Sequence, residues 1–234
     1  MKSIAIIQSN YIPWKGYFDI INSVDEFVLY DDMQYTKRDW RNRNKIKTSK
    51  GTEWLSMPVA VKGKYLQKIK DTYTVNDDWR RKHWKSILSN YSKAPFLDHY
   101  RSQFEELYLN STERNLSKIN FAFINLICRL LEIDTELKCS SDYDFEGKKT
   151  KALLEICKLA EATEYWSGPS AKEYFDQELF NDQGIKVKWM DYSGYEEYNQ
   201  LYGEIDHYVS VIDLLFNEGP NAKKYMKSFK EIAS

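Results

Sequence analysis

The start of the chain alternates between short apolar runs and polar turns, as a βαβ unit does. Residues 4–7 are consecutive and apolar, which is typical of a strand buried on both faces of a parallel sheet. Apolar residues then recur at helical spacing over residues 16–24, and residues 26–30 are again strand-like. We therefore expect a parallel strand pair joined by a helix, with ligands bound at the carboxyl ends of the strands.

The same rhythm returns in the C-terminal half of the chain. Strands are predicted at 136–139, 164–166 and 185–190, and helices at 149–162, 171–175 and 209–216. Between the two halves the pattern predicts antiparallel strands at 54–61 and 68–75, joined around Lys62-Gly63-Lys64, and helices at 77–90, 99–109 and 116–131. The sequence thus predicts an α/β fold with a mostly parallel, Rossmann-like sheet and flanking helices. We expect one domain, residues 1–234, carrying a small antiparallel and helical insertion at about 52–134.

Charge and apolar content limit the kinds of partner and the cellular location that we expect for this chain. Basic and acidic residues nearly balance, 34 against 35, so we expect no stable nucleic-acid binding and only a local anion site. The apolar run at 4–7 is too short for a signal peptide, and no stretch of about 18 apolar residues occurs elsewhere. Cys128, Cys139 and Cys157 lack CxxC spacing and fit reduced thiols. A cytoplasmic protein without a membrane span is predicted.

The turn after the first strand, QSNYIPWKGY, is the first candidate binding segment. Its glycine permits close approach of a ligand or of backbone, and the helix that follows offers free amide groups to an anion. An ordinary strand-to-helix turn is the alternative. The substrate-binding candidates in this segment are Gln8, Asn10, Tyr11, Trp14, Lys15 and Gly16.

Two adjacent carboxylates, Asp31 and Asp32, follow the second predicted strand. Neighbouring side chains point in different directions, so one of them can face a ligand while the other caps or pairs. Because Mg²⁺ prefers hard oxygen ligands, either residue is a candidate metal ligand as well as a catalytic group. Two solvated turn residues would give the same pattern.

Residues 37–47 concentrate six basic side chains around one tryptophan in a chain of almost zero net charge. Guanidinium groups suit phosphate or carboxylate, and the tryptophan could stack on a base or a sugar. A solvated charged face and a single-stranded nucleic-acid surface are the alternatives. The substrate-binding candidates in and beside this run are Tyr35, Trp40, Arg41, Asn42, Arg43, Asn44 and Lys45.

The C-terminal half adds a turn and a polar aromatic stretch. Ser167 and Gly168 follow a predicted buried strand and could offer a hydroxyl and an amide to a ligand, although a structural Gly-Pro turn is also open. His207, among acidic and tyrosine residues, is a candidate for acid-base catalysis, whereas a packing role is the alternative. Ser210 is a candidate substrate contact that could also cap a helix. The sequence contains no Walker loop, GxGxxG fingerprint or zinc-ligand spacing.

Five segments in order resemble the WbqC-like family: IIQSNYIPWKGYFDIINSVDEFVLYDDMQYTKRDWRNRNKIKT, TEWLSMPV, YWSGPSAKEYF, GIKVKWMDY and SVIDLLFNEGP. The resemblance implies a role in O-antigen or other surface-polysaccharide synthesis. It implies a transferase or ligase that forms an amide on a nucleotide-linked amino sugar, glycylation being one form. ATP and Mg²⁺ are candidate cofactors, and the partner is a small-molecule nucleotide sugar. A non-catalytic sugar-nucleotide-binding or assembly protein is the alternative, and the oligomeric state is open.

Overall fold

A βαβ unit opens the chain, as the apolar pattern predicts. The computed structural model describes residues 1–231, beginning with β1 (Ser3–Ile7), α1 (Lys15–Asn22) and β2 (Glu26–Leu29). β1 and β2 pair in parallel, with Ile4 opposite Glu26 and Ile7 opposite Leu29. Their carboxyl ends therefore lie side by side.

A hairpin and three helices follow β2. The hairpin consists of β3 (Arg43–Thr48) and β4 (Gly51–Ser56), and the helices are α2 (Asp78–Tyr91), α3 (Leu97–Glu105) and α4 (Leu116–Leu130). α3 continues into a π-helical segment, Glu106–Asn110. The rest of the described chain comprises β5 (Glu136–Cys139), α5 (Thr150–Leu159), β6 (Glu164–Ser167), α6 (Gln177–Asn181), β7 (Lys186–Trp189), α7 (Val211–Glu218) and α8 (Ser228–Glu231). Among the helices of residues 1–231, none has both the length and the apolar character needed to cross a membrane.

Five strands form one parallel sheet in the order β5-β2-β1-β6-β7. In chain order the sheet first grows from β1 through β2 to β5, and then on the other side of β1 through β6 to β7. The direction of growth therefore reverses between β1 and β6. In open parallel sheets, such a reversal leaves a crevice outside the carboxyl ends of the two strands, where ligands bind.

Side chains of the central strands alternate between two cores, because successive residues of a strand point to opposite faces. On β1, Ala5 belongs to one core, whereas Ile4 and Ile6 belong to the other. The larger core also contains apolar side chains of α1, α4 and α7, and the smaller one contains those of α5. Helices cover both faces of the sheet, so the predicted α/β fold with a parallel sheet and flanking helices is confirmed.

The antiparallel pair lies earlier in the chain than predicted. β3 pairs with β4, with Arg43 opposite Ser56. Between residues 54–61 and 68–75 the described chain has only one isolated bridge, from Val59 to Thr74. The predicted segments do meet in antiparallel orientation at this bridge, but the two-stranded sheet is formed by β4 and by β3, which lies in the basic run. The segment between β2 and β5 supplies the hairpin and α2 to α4, and the limits of an insertion at about 52–134 stay a prediction.

Candidate functional site

Polar residues follow three neighbouring strands at the carboxyl edge of the sheet. Gln8 follows β1, Asp31 and Asp32 lie just beyond β2, and Gly168 follows Ser167 at the end of β6. Because β2, β1 and β6 are adjacent in the sheet, these residues lie along one edge. The sequence placed them at strand ends, and the sheet order brings them together.

A cleft with a volume of about 490 Å³ lies at this edge, above the point where the sheet reverses its growth. We call it the switch cleft. Gln8, Trp14, Ser167, Gly168 and Tyr192 line it, together with Lys149 from the loop before α5. Its volume is in the range of small-ligand sites, and it lies where this topology favours ligand binding.

Aromatic rings form one wall of the switch cleft. The Trp14 ring contacts the rings of Tyr192 and Tyr208, with centroid distances of 5.1 and 5.3 Å. A Cβ at Gly16 would lie 2.3 Å from the Trp14 ring, so the glycine allows this ring to fold over the start of α1. Burial raises the pKa of the Tyr192 hydroxyl above its ordinary value, which keeps it protonated as a hydrogen-bond donor. Such walls suit the flat face of a sugar or a base.

Trp14 also lines a smaller pocket with a volume of about 220 Å³. This aromatic pocket is lined by Asn10, Pro13, Trp14, Trp40, Asn44 and Tyr208. Trp40 is 39% exposed and rests against Trp54, with ring centroids 5.2 Å apart. The sequence-predicted residues Trp14 and Trp40 therefore share one pocket, although they come from different segments.

The third cavity, which we call the lysine basin, lies beyond β2 and β5 and has a volume of about 730 Å³. It shares Tyr30, Met33 and Lys149 with the switch cleft, so the two cavities adjoin. Its basic residues, none of them singled out from the sequence, are Lys68, Lys70, Lys148 and Lys149. Two pairs of lysines on two separate segments give no pattern that the sequence could reveal.

The two adjacent aspartates have different surroundings. Asp31 is buried, and its carboxylate accepts hydrogen bonds from the Ser9 backbone at 2.8 Å and from the Ser117 hydroxyl. Asp32 faces the lysine basin and binds Lys68 and Lys70 at 2.8 and 2.7 Å. Burial acts to raise the pKa of Asp32, but hydrogen bonds from both lysines and Ser140 outweigh it and lower the pKa. Asp32 is therefore a carboxylate that positions cations.

Arg41, Arg43 and Lys45 of the basic run hold the hairpin and its neighbouring loops. Arg41 donates to the side chain of Asn10 and lies 3.6 Å from Asp39. Arg43 lies over the Trp54 ring, 4.1 Å from its centroid, and Lys45 lies 5.3 Å from the same centroid. The two cavities that adjoin at the sheet edge are lined by other residues. A phosphate-binding role for these three side chains stays a prediction.

Four further candidates take part in buried hydrogen bonds that hold this region together. The Asn42 amide donates to the Met57 carbonyl and accepts from the Tyr35 hydroxyl, at 2.7 and 3.0 Å. The Asn44 amide donates to the carbonyls of Tyr11 and Ile12. Tyr11 is fully buried, with its hydroxyl 2.6 Å from that of Tyr108. Of these, Asn44 also lines the aromatic pocket.

Lys15, His207 and Ser210 do not line any of the three cavities. The buried Lys15 ammonium lies 4.5 Å from the Tyr195 ring centroid and donates to the carbonyl of Glu196. Burial, followed by the charge of Lys15, lowers the pKa of His207, whose Nδ1 has no hydrogen-bond partner among the described residues. Ser210 is buried and caps α7 by accepting from the Ile212 amide, the alternative that its sequence position left open.

A metal site was predicted at Asp31 or Asp32. In the part of the chain that the structure describes, no group of three or more His, Cys, Asp or Glu side chains is arranged to hold a metal ion. Protein-bound Mg²⁺ is often held by one or two carboxylates together with substrate phosphates. The role of a metal therefore stays a prediction, with Asp32 as the carboxylate that faces a cavity.

Comparison with known proteins places the chain in a family. The model of the WbqC-like protein family matches residues 8–225. A Mycobacterium tuberculosis protein named "Uncharacterized protein Rv1507c" is 49% identical over 227 residues, which cover 97% of this chain and 98% of the relative. No solved structure matches the chain at a significant level. Because the family match extends over most of its length, the chain belongs to the WbqC-like protein family.

Proposed function

We propose that this protein binds a nucleotide-linked amino sugar in the switch cleft and forms an amide at the sugar amine. The observation that carries the proposal is the cleft itself, at the carboxyl ends of β1 and β6 where the parallel sheet reverses its growth. Membership of the WbqC-like family supports a polysaccharide-related role. The polar and aromatic lining of the cleft supports a sugar as the bound group.

The sugar is expected to rest against the aromatic wall. Trp14 and Tyr192 offer ring faces to the apolar side of a sugar, while Gln8 and Ser167 offer hydrogen-bonding groups on the strand ends. Such convergence of a few polar groups on an apolar wall is how small-molecule sites fix orientation. Orientation of the sugar amine against an acyl group would provide much of the rate acceleration.

Transfer of an acyl group to the amine requires that a proton leave the nitrogen. His207 does not line the switch cleft, and Asp32 is held by two lysines, so either residue could accept this proton only if the bound substrate reached it. If ATP activates the acid as an acyl phosphate or acyl adenylate, phosphate or AMP leaves as the C–N bond forms, and stabilisation of the charge on that leaving group would be the main task of the protein. ATP and Mg²⁺ therefore belong to the proposal as candidate cofactors.

A non-catalytic sugar-nucleotide-binding or assembly role is the second candidate. This role is favoured by the contacts of the two aspartates, which leave neither carboxylate free for catalysis. Asp31 is buried and accepts two hydrogen bonds, and Asp32 is held by two ammonium groups. Binding would look the same in both cases. Only turnover of an amine-bearing sugar nucleotide separates them.

The experiment measures binding first and turnover second. Uridine and thymidine diphosphate amino sugars are titrated into the protein by calorimetry, and amide formation with glycine, ATP and Mg²⁺, or with an activated acyl donor, is followed by mass spectrometry. Tyr192→Ala should weaken binding about tenfold or more, since stacking on an aromatic ring contributes about 1–3 kcal/mol. Tyr65→Ala, at an aromatic that is 81% exposed and outside the cleft, is the matched control. Absence of nucleotide-sugar binding would refute the proposal, and binding without turnover would favour the second candidate.

A further inference from the structure

The lysine basin carries a local positive charge in a chain that is nearly neutral overall. Four lysines and two aspartates, Asp32 and Asp144, line it, and four positive charges against two negative ones leave +2. The whole chain has a formal net charge of −1. In a chain of balanced charge an anion site has to be local, and the basin has the local positive charge that such a site requires.

We propose that the lysine basin binds a diphosphate group through Lys68, Lys70, Lys148 and Lys149. The identity of the complete ligand, a nucleotide sugar, rests on the proposed function, whereas recognition of the diphosphate rests on the basin alone. A diphosphate bridge carries a negative charge of about the same size as the positive charge of the basin.

Lys68 and Lys70 are held side by side by the backbone and by one carboxylate. The residue between them, Ile69, is buried, and its amide donates to the Met33 carbonyl at 2.9 Å. The Lys70 amide donates to the Asp31 carbonyl at 3.0 Å. Both side-chain ammonium groups converge on the same Asp32 oxygen, Oδ1. The two charges are thus fixed near each other before a ligand arrives.

Asp32 leaves donor capacity on both lysines. An ammonium group has three N–H donors, and the side chains of Lys68 and Lys70 are 47% and 37% exposed while each contacts Asp32. The second Asp32 oxygen accepts a hydrogen bond from the Ser140 hydroxyl at 3.0 Å. Ser140 directly follows β5, so this bond fixes the carboxylate to that strand. Asp32 therefore acts as a positioning residue that orients two phosphate-binding cations.

Lys148 and Lys149 bring the other two charges from the loop before α5. This loop turns sharply, with φ values of 93° at Gly147 and 54° at Lys149. A non-glycine residue in the left-handed region is uncommon and recurs at functional sites. The turn places Lys149 in the lining of both the basin and the switch cleft, and α5 begins directly after it with the positive end of its dipole.

The junction of the two cavities sets the orientation of the ligand. Tyr30, Met33 and Lys149 line both, so a diphosphate in the basin is adjacent to a sugar in the switch cleft. Arg41 and Arg43, candidate phosphate ligands from the sequence, contact Asn10 and Trp54 and line neither of the two cavities. Phosphate recognition therefore belongs to the four lysines of the basin, which the sequence did not single out.

The test uses inorganic pyrophosphate and uridine diphosphate as probes in calorimetric titrations of the full chain. Lys68→Gln with Lys70→Gln, and separately Lys148→Gln with Lys149→Gln, should each weaken pyrophosphate binding about tenfold or more, since charged hydrogen bonds are lost. Lys85→Gln with Lys93→Gln removes the same charge from exposed positions outside the basin and should change affinity less than about twofold. The variant Lys148→Gln with Lys149→Gln should melt at the temperature of the wild type, which shows that its loss of binding is not caused by unfolding.

The outcomes separate this inference from the proposed function. No binding of pyrophosphate by the wild type, or an equal loss in the exposed pair, overturns the inference. Nucleotide-sugar binding that survives in both basin pairs also overturns it, and leaves the proposed function standing. Pyrophosphate binding that depends on the basin lysines, without any binding of amino-sugar nucleotides, supports the basin and refutes the proposed function.

Discussion

Adjacent residues of one chain can have unrelated tasks, and Asp31 and Asp32 illustrate this. Asp31 points into the protein and joins the loop after β1 to α4 through Ser9 and Ser117. Asp32 points into the lysine basin. Both residues lie in the turn that follows β2, where their side chains point in different directions.

This difference predicts unequal costs of the same substitution. Asp31→Asn turns an acceptor oxygen into a donor at a buried site, so we expect about 1–3 kcal/mol of lost unfolding free energy. Asp32→Asn alters ion pairs with partly exposed lysines and should cost less than about 1 kcal/mol. Urea unfolding of both variants measures the two values. A larger loss for Asp32→Asn than for Asp31→Asn would contradict this assignment.

At the residue scale, the sequence singled out the cleft-lining residues that lie at the end of a strand. Gln8, Ser167 and Gly168 were found because the end of a buried strand is visible as a change from apolar to polar residues. Lys68 and Lys149 were not found, because nothing in the local sequence marks two lysines that line one cavity only through the packing of separate loops. Long-range loop geometry has no signature in one sequence.

At the scale of elements, β3 shows why a charged segment can be misinterpreted. Asn44 and Lys47 are buried, but the polar group of each is satisfied by backbone carbonyls, of Tyr11 and Ile12 for Asn44 and of Glu204 for Lys47. A buried polar side chain is tolerated when it is hydrogen-bonded. Binary patterning therefore fails here, since polar residues take the buried positions of a strand.

Helix α2 carries a pH-sensitive contact. His83 is 6% exposed, its Nδ1 lies 3.0 Å from the Tyr11 hydroxyl, and burial lowers its pKa to about 4. In the unfolded chain the pKa of a histidine is about 6.5. Between these two values the unfolded state binds a proton that the folded state does not, so stability falls as the pH falls through this window.

We expect the unfolding free energy to drop by about 2 kcal/mol between pH 7 and pH 5 because of His83. His83→Gln should lower stability at pH 7 but remove most of that drop, since glutamine does not titrate. Urea unfolding at both pH values measures the difference. His99→Gln, at an exposed position of α3, is the control and should keep the drop. A variant at position 83 with the full wild-type pH dependence would refute the assignment.

At the scale of the whole molecule, the parallel sheet was predictable and its strand order was not. Consecutive apolar residues identified β1 as a strand covered on both faces, as the two cores require, and the pattern also predicted β2 and β6 as strands. The order β5-β2-β1-β6-β7 depends on which strand pairs with β1 after a long excursion through α2 to α4. The position of the cleft follows from that order. Residues at the strand ends were expected to bind ligands, and the structure divides them, with Gln8, Ser167 and Gly168 in the switch cleft and Asp32 in the lysine basin.

The two adjoining cavities should be separable by substitution, and Gly168 offers the means. Its backbone conformation, φ −72° and ψ 153° before a proline, is open to any residue, and an added Cβ would meet only Tyr192, at 3.8 Å. Gly168→Leu should therefore fold normally, with a stability change within about 1 kcal/mol, while its side chain fills part of the switch cleft. The lysine basin, lined by other residues, should be unaffected.

For Gly168→Leu we expect affinity for a uridine diphosphate amino sugar to fall about tenfold or more, because the sugar loses its place against the aromatic wall. Affinity for inorganic pyrophosphate should stay within about twofold of the wild type, since the diphosphate lies in the basin. Gly168→Ala, which adds only the Cβ, should lose much less sugar-nucleotide affinity and serves as the graded control. Calorimetric titration of both ligands into the three proteins measures the pattern. Parallel loss of both ligands in Gly168→Leu would show that sugar and diphosphate share one cavity, and sugar-nucleotide binding at full strength would place the sugar elsewhere.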